Sequence, residues 1–419
     1  MNPDELTEAK AELEAFVDDV FVSLPRADQR GKGSLYLRGL MLDGRRKSMQ
    51  PMGERLGVDY QQLQQFVSSS PWKVEPVRRV LVRRALRLIA PDAWVVDDTG
   101  FKKDGAFSPC VARQYSGTLG KIGNCQIGVS IHAATDQASC PLDWRLYVPQ
   151  LWDDTCADTN EEAMLIQARR AKAGLPDAQR HRTKWAMALE MIDELAAWGH
   201  RPPAVGDAGY GEITAFRSGL TERQIPYMVA VKASTSAFSF DAATEVLEYS
   251  GRGPRPYQRR YLDPPSSLKD LVMTAGRSAL HQVTWRHGTK TSPSNKLASM
   301  KSRFIALRVR PANRDLPRAD DGSLPVEWLL AEWPTGTTAP TDYWLSTLPE
   351  ATGLKELVRL AKIRWRIEHD YRELKTGLGL AHFEGRTYTG WHHHMTLVTA
   401  AHLFITGLRL TRPKAVGAG

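Results

Sequence analysis

The sequence predicts an α/β protein with a helical N-terminal region. Residues 1–90 carry apolar positions at helical spacing. After Pro91 the period changes, and short apolar runs alternate with amphipathic helices. Two of these runs end in an acid: AWVVDD at 93–98 and PAVGD at 203–207.

Taken in order, SMQPMGERLGVDYQQLQQFV (48–67) reads as a helix, a turn at Gly57 and a second helix. The second helix carries Gln61, Gln62, Gln64 and Gln65, and glutamine can read adenine edges in a DNA major groove. A helical hairpin that only packs gives the same pattern. NCQIGVSIHAAT (124–135) and DWRLYVP (143–149) read as strands, and TKWAMALEMIDELAAW (183–198) as an amphipathic helix. Residues 212–222 look helical, and IPYMVAVKAST (225–235) is another strand. Between 238 and 340, Pro, Ser, Arg and Gly are frequent and the strands are short, as in HQVTWRH, RFIALRVR and EWLLAEW, which reads as a β-rich insertion. DYWLSTLP (342–349) returns to the core, 353–377 forms a long helical region, and 391–411 forms an apolar helix led by three histidines. The expected organisation is thus 1–90 helical, 91–237 core, 238–340 insertion, 341–411 core and 412–419 tail.

Composition narrows the function. The 419 residues are 42% hydrophobic and 25% charged, ordinary for a soluble chain, and no apolar run is long enough to span a membrane. The acidic, amphipathic first twenty residues do not read as a signal peptide. The four cysteines form no CxxC, which fits reduced thiols in a cytoplasmic protein. Net charge is +9 and unevenly spread. Residues 20–90 hold 14 Lys/Arg against 5 Asp/Glu, and 252–318 hold 15 against 3. Two basic segments around a more acidic body suit a polyanion such as double-stranded DNA and disfavour a hydrolase of neutral sugars.

RWRIEHDYRELKTG (364–377) places three carboxylates within six positions. On a regular helix Glu368, Tyr371 and Lys375 fall within about 40° of Arg364, so they share one stripe. Asp370 and Glu373 fall at about 240° and 180°, with Glu373 toward solvent. A surface ion-pair ladder would produce the same stripe. Asp97 and Asp207 change that reading, because acids at the carboxyl ends of core strands overlook the crevice where α/β sheets bind ligands. Asp, Asp and Glu oxygens suit Mg²⁺.

These motifs resemble the DDE transposases of bacterial insertion sequences, in the subgroup with a Tyr-x2-Arg-x3-Glu-x6-Lys helix. Arg364, Glu368 and Lys375 match that spacing; the Tyr position is Ala361, with Tyr371 on the same face as a stand-in. VVDDTG and VGDAGYG resemble the two Asp motifs, and the resemblance covers residues 91–410. It implies a ribonuclease H-like catalytic core with a β-rich insertion, and Asp97, Asp207 and Glu368 as catalytic ligands of two Mg²⁺ ions, with Mn²⁺ a substitute. Asp97 is preferred because the motif reads Asp-x-Thr and Asp97 shares a strand face with Val95; Asp98 stands in reserve.

The resemblance further implies that Arg364 and Lys375 hold phosphates and that Tyr343 or Trp344 stacks on a flipped base. Lys232 is a weaker candidate for a backbone contact. The expected activity is cleavage at element ends and joining of the 3′-OH to target DNA, by a homodimer acting at the bacterial nucleoid. The alternatives are a transposase-derived nuclease and a non-catalytic DNA-binding protein. His392, His393 and His394 read as polar residues at a helix start, near DNA.

Overall fold

The computed structural model describes residues 3–199, 201–246, 251, 259–287, 299–313 and 315–412. Most of the expected tail, and parts of the expected insertion, lie outside these.

The first elements are helices α1 (Pro3–Val20), α2 (Ala27–Met41), α3 (Met49–Leu56), α4 (Tyr60–Ser68) and α5 (Val74–Ile89). Strands β1 (Ala93–Lys102), β2 (Ala112–Ser116), β3 (Lys121–Ala134) and β4 (Ser139–Leu146) follow, then α6 (Asn160–Ala173) and α7 (Lys184–Ala196). Next come β5 (Ala204–Gly206), α8 (Ala208–Gly211), α9 (Thr214–Glu222), β6 (Tyr227–Val231) and β7 (Ser236–Ser239). The following stretch holds β8 (Thr244–Val246), β9 (Arg259–Tyr261), β10 (Ser266–Ser267), α10 (Leu268–Ala275), β11 (His281–His287) and β12 (Ser299–Pro311). The chain ends with β13 (Glu327–Glu332), β14 (Asp342–Ser346), α11 (Leu354–Lys362), α12 (Trp365–Arg372) and α13 (Tyr388–Thr411). The protein is mixed α/β, and it divides into two compact units: residues 1–91, 96–200 and 365–419, and residues 92–95 with 201–364.

In the first unit β3 lies beside β1 and pairs antiparallel with β2 along its first half and with β4 along its second. Residues 125–134 of β3 are all buried, as expected of a strand covered on both faces. The covering element on one side is α13, apolar around nearly its whole circumference, against which α2, α4, α5 and β4 pack. Its N-terminus is capped by Thr387, whose hydroxyl accepts from Gly390 N–H at 3.2 Å. The N-terminal helices are therefore built into this unit's core. Helix α5 turns Val77, Leu81, Val82, Ala85 and Ile89 inward and Arg79, Arg83 and Arg87 outward, while Arg78 reaches buried Asp143.

The histidine triplet lies in this packing, and two of its members are core residues rather than polar residues of an open helix start. His393 and His394 are fully buried: His393 faces the carbonyls of Val67 and Trp72 at 2.8 and 2.9 Å. His394 meets Tyr36 Oη at 2.8 Å and Gly379 O at 3.0 Å. Because a carbonyl only accepts, His394 carries its proton on Nε2 toward Gly379 and accepts from Tyr36 at Nδ1.

In the second unit the strand order is β10-β7-β12-β13-β14-β6-β5, followed by the first residues of β1, where Trp94 N–H donates to Pro203 O at 2.9 Å. Strand β5 runs parallel to β6, and the pairs from β6 to β7 are antiparallel. The strands expected in the insertion thus continue the sheet of β6 and β14. Leu329, Ala331, Tyr343, Leu345, Ile305 and Val309 form part of one apolar cluster with α10 residues Leu268 and Val272. No helix among the described residues is long and apolar enough to cross a membrane. All four cysteines are free thiols, and three are buried.

Candidate active site

Strand β1 separates its two acids by alternation. Asp97 is buried, 8% exposed, as is Thr99 two residues on. Its Oδ1 accepts from Asp98 N–H at 2.8 Å. Asp98 points to the other face, where Lys184 of α7 pairs with it at 3.0 Å. On the Asp97–Thr99 face, Lys375 Nζ donates to Thr99 Oγ1 at 2.7 Å, to Gly100 O at 3.0 Å and to Thr118 Oγ1 at 3.1 Å. Burial lowers the Lys375 ammonium to about 8, against the opposing pull of the Asp97 carboxylate.

The long helix expected over 353–377 is interrupted. Helix α11 ends at Lys362, Ile363 and Arg364 form a turn, α12 covers Trp365–Arg372, and Glu373–Gly377 is a π-helical turn. Arg364 therefore does not share a regular helix with Glu368, which changes the angular argument for it. Glu368 sits in the first turn of α12 and is exposed.

The other two carboxylates of this stretch have inward partners. Asp370, 2% exposed, accepts from His132 Nδ1 of β3 at 3.0 Å and from Ser139 Oγ of β4 at 2.7 Å. Burial alone would raise its pKa; the hydrogen bond from His132, with His402 and Ser139, brings it below the usual carboxylate range. Burial lowers the His132 pKa despite Asp370, so the ring is neutral at pH 7. Its Nε2 then accepts from Ser130 Oγ at 3.1 Å, and Ser130 accepts from the Tyr371 phenol at 2.8 Å. The Tyr371 hydroxyl is thus engaged within the unit. Glu373 is not a solvent-facing residue: it pairs with Arg409 at 2.7 Å and lies 3.6 Å from His402. Burial works against its charge, but hydrogen bonds from His402 and Arg409 prevail and depress its pKa. Sequence spacing missed this network because nothing along the chain announces that β3, β4 and α13 meet there.

In the N-terminal helices, Gly57 adopts the left-handed conformation, φ +67°, between α3 and α4, and Asp59 caps α4 by accepting from Gln61 N–H at 2.9 Å. Gln61 is exposed and Gln62 half-buried. Lys103 is drawn inward and donates to Phe383 O at 2.6 Å.

In the second unit Asp207 follows β5 directly and caps α8, its Oδ1 accepting from the Gly209 and Tyr210 amides at 2.9 and 3.3 Å. That short turn is fixed from behind. A Cβ on Gly211 would stand 2.0 Å from Ala230 O, and buried Arg217 donates to the Gly211 carbonyl. Lys232 is exposed just after β6, with Glu212 Oε2 at 3.9 Å. Tyr343 and Trp344 are buried, 3% and 6% exposed. Tyr343 belongs to the sheet's apolar cluster, and the Trp344 ring is covered by Lys362 Nζ at 5.0 Å from its centroid. Neither ring offers an open face for stacking on a base.

Asp97, Asp207 and Glu368 carry the hard oxygen donors that Mg²⁺ prefers, and the donor chemistry fits. Among the described residues, however, no three His, Cys, Asp or Glu side chains already stand together at metal-holding spacing.

Comparison with known proteins gives this arrangement a class. The model of a family described as DDE superfamily endonuclease matches residues 19–292, more than half of the chain. The chain belongs to that family. The match includes Asp97 and Asp207 and stops before Glu368. The chain is also similar to the probable transposase for insertion sequence element IS701 of Microchaete diplosiphon, with 29% identity over 201 residues. That alignment spans 47% of this chain and 47% of the relative, so less than half the relative's length is covered.

Proposed function

We propose that the protein is an insertion-sequence transposase with a ribonuclease H-like core, in which Asp97, Asp207 and Glu368 hold two Mg²⁺ ions. The observation that carries this reading is the Lys375 anchorage on Thr99: it ties the segment behind Glu368 to the strand of Asp97, and it leaves Asp98 to Lys184. Family membership supports the choice of a nuclease-type reaction.

When bound, the ions activate the attacking oxygen and neutralise charge on the leaving one. The chain's own residues bind and orient the DNA. Lys375 and Arg364 supply positive charge beside the carboxylates, and exposed Lys232 adds a backbone contact. The glutamines of α4 and the exposed Arg79, Arg83 and Arg87 of α5 bind element ends. Water adds to phosphorus and the bond to the 3′ oxygen breaks, releasing a 3′-OH. That hydroxyl then attacks a target phosphodiester and displaces a second 3′ oxygen, with no covalent bond to the enzyme. Two ends and two cuts suit a homodimer on DNA at the nucleoid.

The test is a duplex carrying the element's ends, incubated with Mg²⁺ and target plasmid. Cleavage followed by joining supports the reading, and Glu368→Gln abolishes both while DNA binding persists. Nicking without joining would leave a nuclease, and binding without either a DNA-binding protein. Affinity for duplex DNA falls steeply with salt, as expected for phosphate contacts.

A further inference from the structure

We infer that Asp370 is a positioning residue that, together with His132, fixes the rotation of α12 and so aims Glu368. The inference rests on the proposed role of Glu368 as a metal ligand. Helix α12 has eight residues, WRIEHDYR, and only Ile367 and Asp370 are buried. Ile367 and the Tyr371 ring, which packs on His132 and Trp144, cannot by themselves define how so short a helix is rotated about its axis. The polar partners can. Asp370 and Tyr371 are successive residues, about 100° apart around the helix. Both are bound to β3, through His132 at 3.0 Å and Ser130 at 2.8 Å. Ser130 and His132 share one face of β3 and are bonded to each other at 3.1 Å.

The result is a closed ring of hydrogen bonds, Tyr371 to Ser130 to His132 to Asp370, that begins and ends on α12. Ser139 of β4 adds a second donor to Asp370 at 2.7 Å. Rotating the helix in either sense breaks a buried bond, which such a network resists more sharply than apolar contact would. Glu368 lies about 200° from Asp370, so holding Asp370 inward turns Glu368 outward.

The test measures Mn²⁺ binding to the full-length protein by electron paramagnetic resonance, beside its thermal melt. His132→Leu and Asp370→Asn are expected to weaken Mn²⁺ binding by about 10–100-fold, the scale on which supporting partners of metal ligands act. Ser130→Ala, the mildest break in the ring, weakens it less and serves if the others fail to fold. His132→Asn keeps a donor near the Nδ1 position and restores binding to within a few-fold of wild type. Leu397→Ala, a core truncation in α13, lowers the melting temperature without changing Mn²⁺ affinity. Wild-type affinity in Asp370→Asn and Ser130→Ala, with affinity lost in Glu368→Gln, overturns the positioning role and leaves the ligand assignment standing. Wild-type affinity in Glu368→Gln overturns the ligand assignment, and the positioning role with it.

Discussion

Lys375 Nζ lies 2.7 Å from Thr99 Oγ1, so the π-helical turn behind Glu368 is fastened to β1 two residues beyond Asp97. This contact lies within one compact unit and joins two motifs 276 residues apart in the chain.

The carboxylates of 368–373 are expected to separate by function. Glu368→Gln lowers Mg²⁺-dependent cleavage by about 10³-fold or more, the scale of several kcal/mol of lost charge stabilisation, with the fold retained. Glu373→Gln breaks a partly buried pair with Arg409, costs about 1–2 kcal/mol, and retains cleavage. Cleavage assays and thermal melts on the two variants check this; equal activity in both would sink the assignment.

The adjacent acids of β1 should part in the same way. Asp97→Asn is expected to be inactive. Asp98→Asn loses only the half-exposed pair with Lys184, about 0.5–1 kcal/mol, and remains active. Reversal of the two activities would move the catalytic role to Asp98.

Gly211→Ala tests the Asp207 turn. The added methyl would meet Ala230 O at 2.0 Å, so α8 must shift and carry its N-capping Asp207 with it. The expected cost is about 1–3 kcal/mol, with cleavage reduced beyond what the lowered stability explains. A variant that cleaves at the wild-type rate would show that the placement of α8 does not govern catalysis.

His394 makes the fold sensitive to acid. Burial depresses it from 6.5 to about 4. Above pH 6.5 the ring is neutral in both folded and unfolded chains. Between 6.5 and 4 the unfolded chain takes up a proton that the folded one does not. Stability is therefore lost as pH falls through this window, by up to about 3 kcal/mol for this group. Denaturant unfolding from pH 7 to 4 should show the decline, and His394→Gln, which keeps a donor for Gly379 O, should make it shallower, the remainder coming from the other buried histidines such as His132 and His393.

The sequence made the order of elements legible, because period-2 and period-3.6 patterns survive in runs such as NCQIGVSIHAA and VRRVLVRRALRLI. That Asp97 and Asp98 lie on opposite faces of their strand follows from strand alternation, a local rule that the fold obeys. What was not legible depends on elements far apart in the chain. His392, His393 and His394 look polar in sequence, yet the last two are buried because α13 is surrounded by α2, α4 and the Gly379 turn. Tyr343 and Trp344 suit a base-stacking position or a core position equally in sequence, and burial in the apolar cluster and under Lys362 depends on elements far from them in the chain. The helical angle of Glu373 points it to solvent, but Arg409, 36 residues later, pairs with it. The break at Ile363–Arg364 has no Pro or Gly to announce it.

The π-turn at 373–377 has a consequence for comparing relatives. It holds one residue more per turn than an α-helix, so the seven steps from Glu368 to Lys375 include a backbone irregularity. Deleting a single residue there would restore a regular helix and change the rotation of Lys375 relative to Glu368, moving the ammonium off Thr99. Loops elsewhere can lengthen or shorten over time, but an indel in these five positions would leave β1 in need of a different cation.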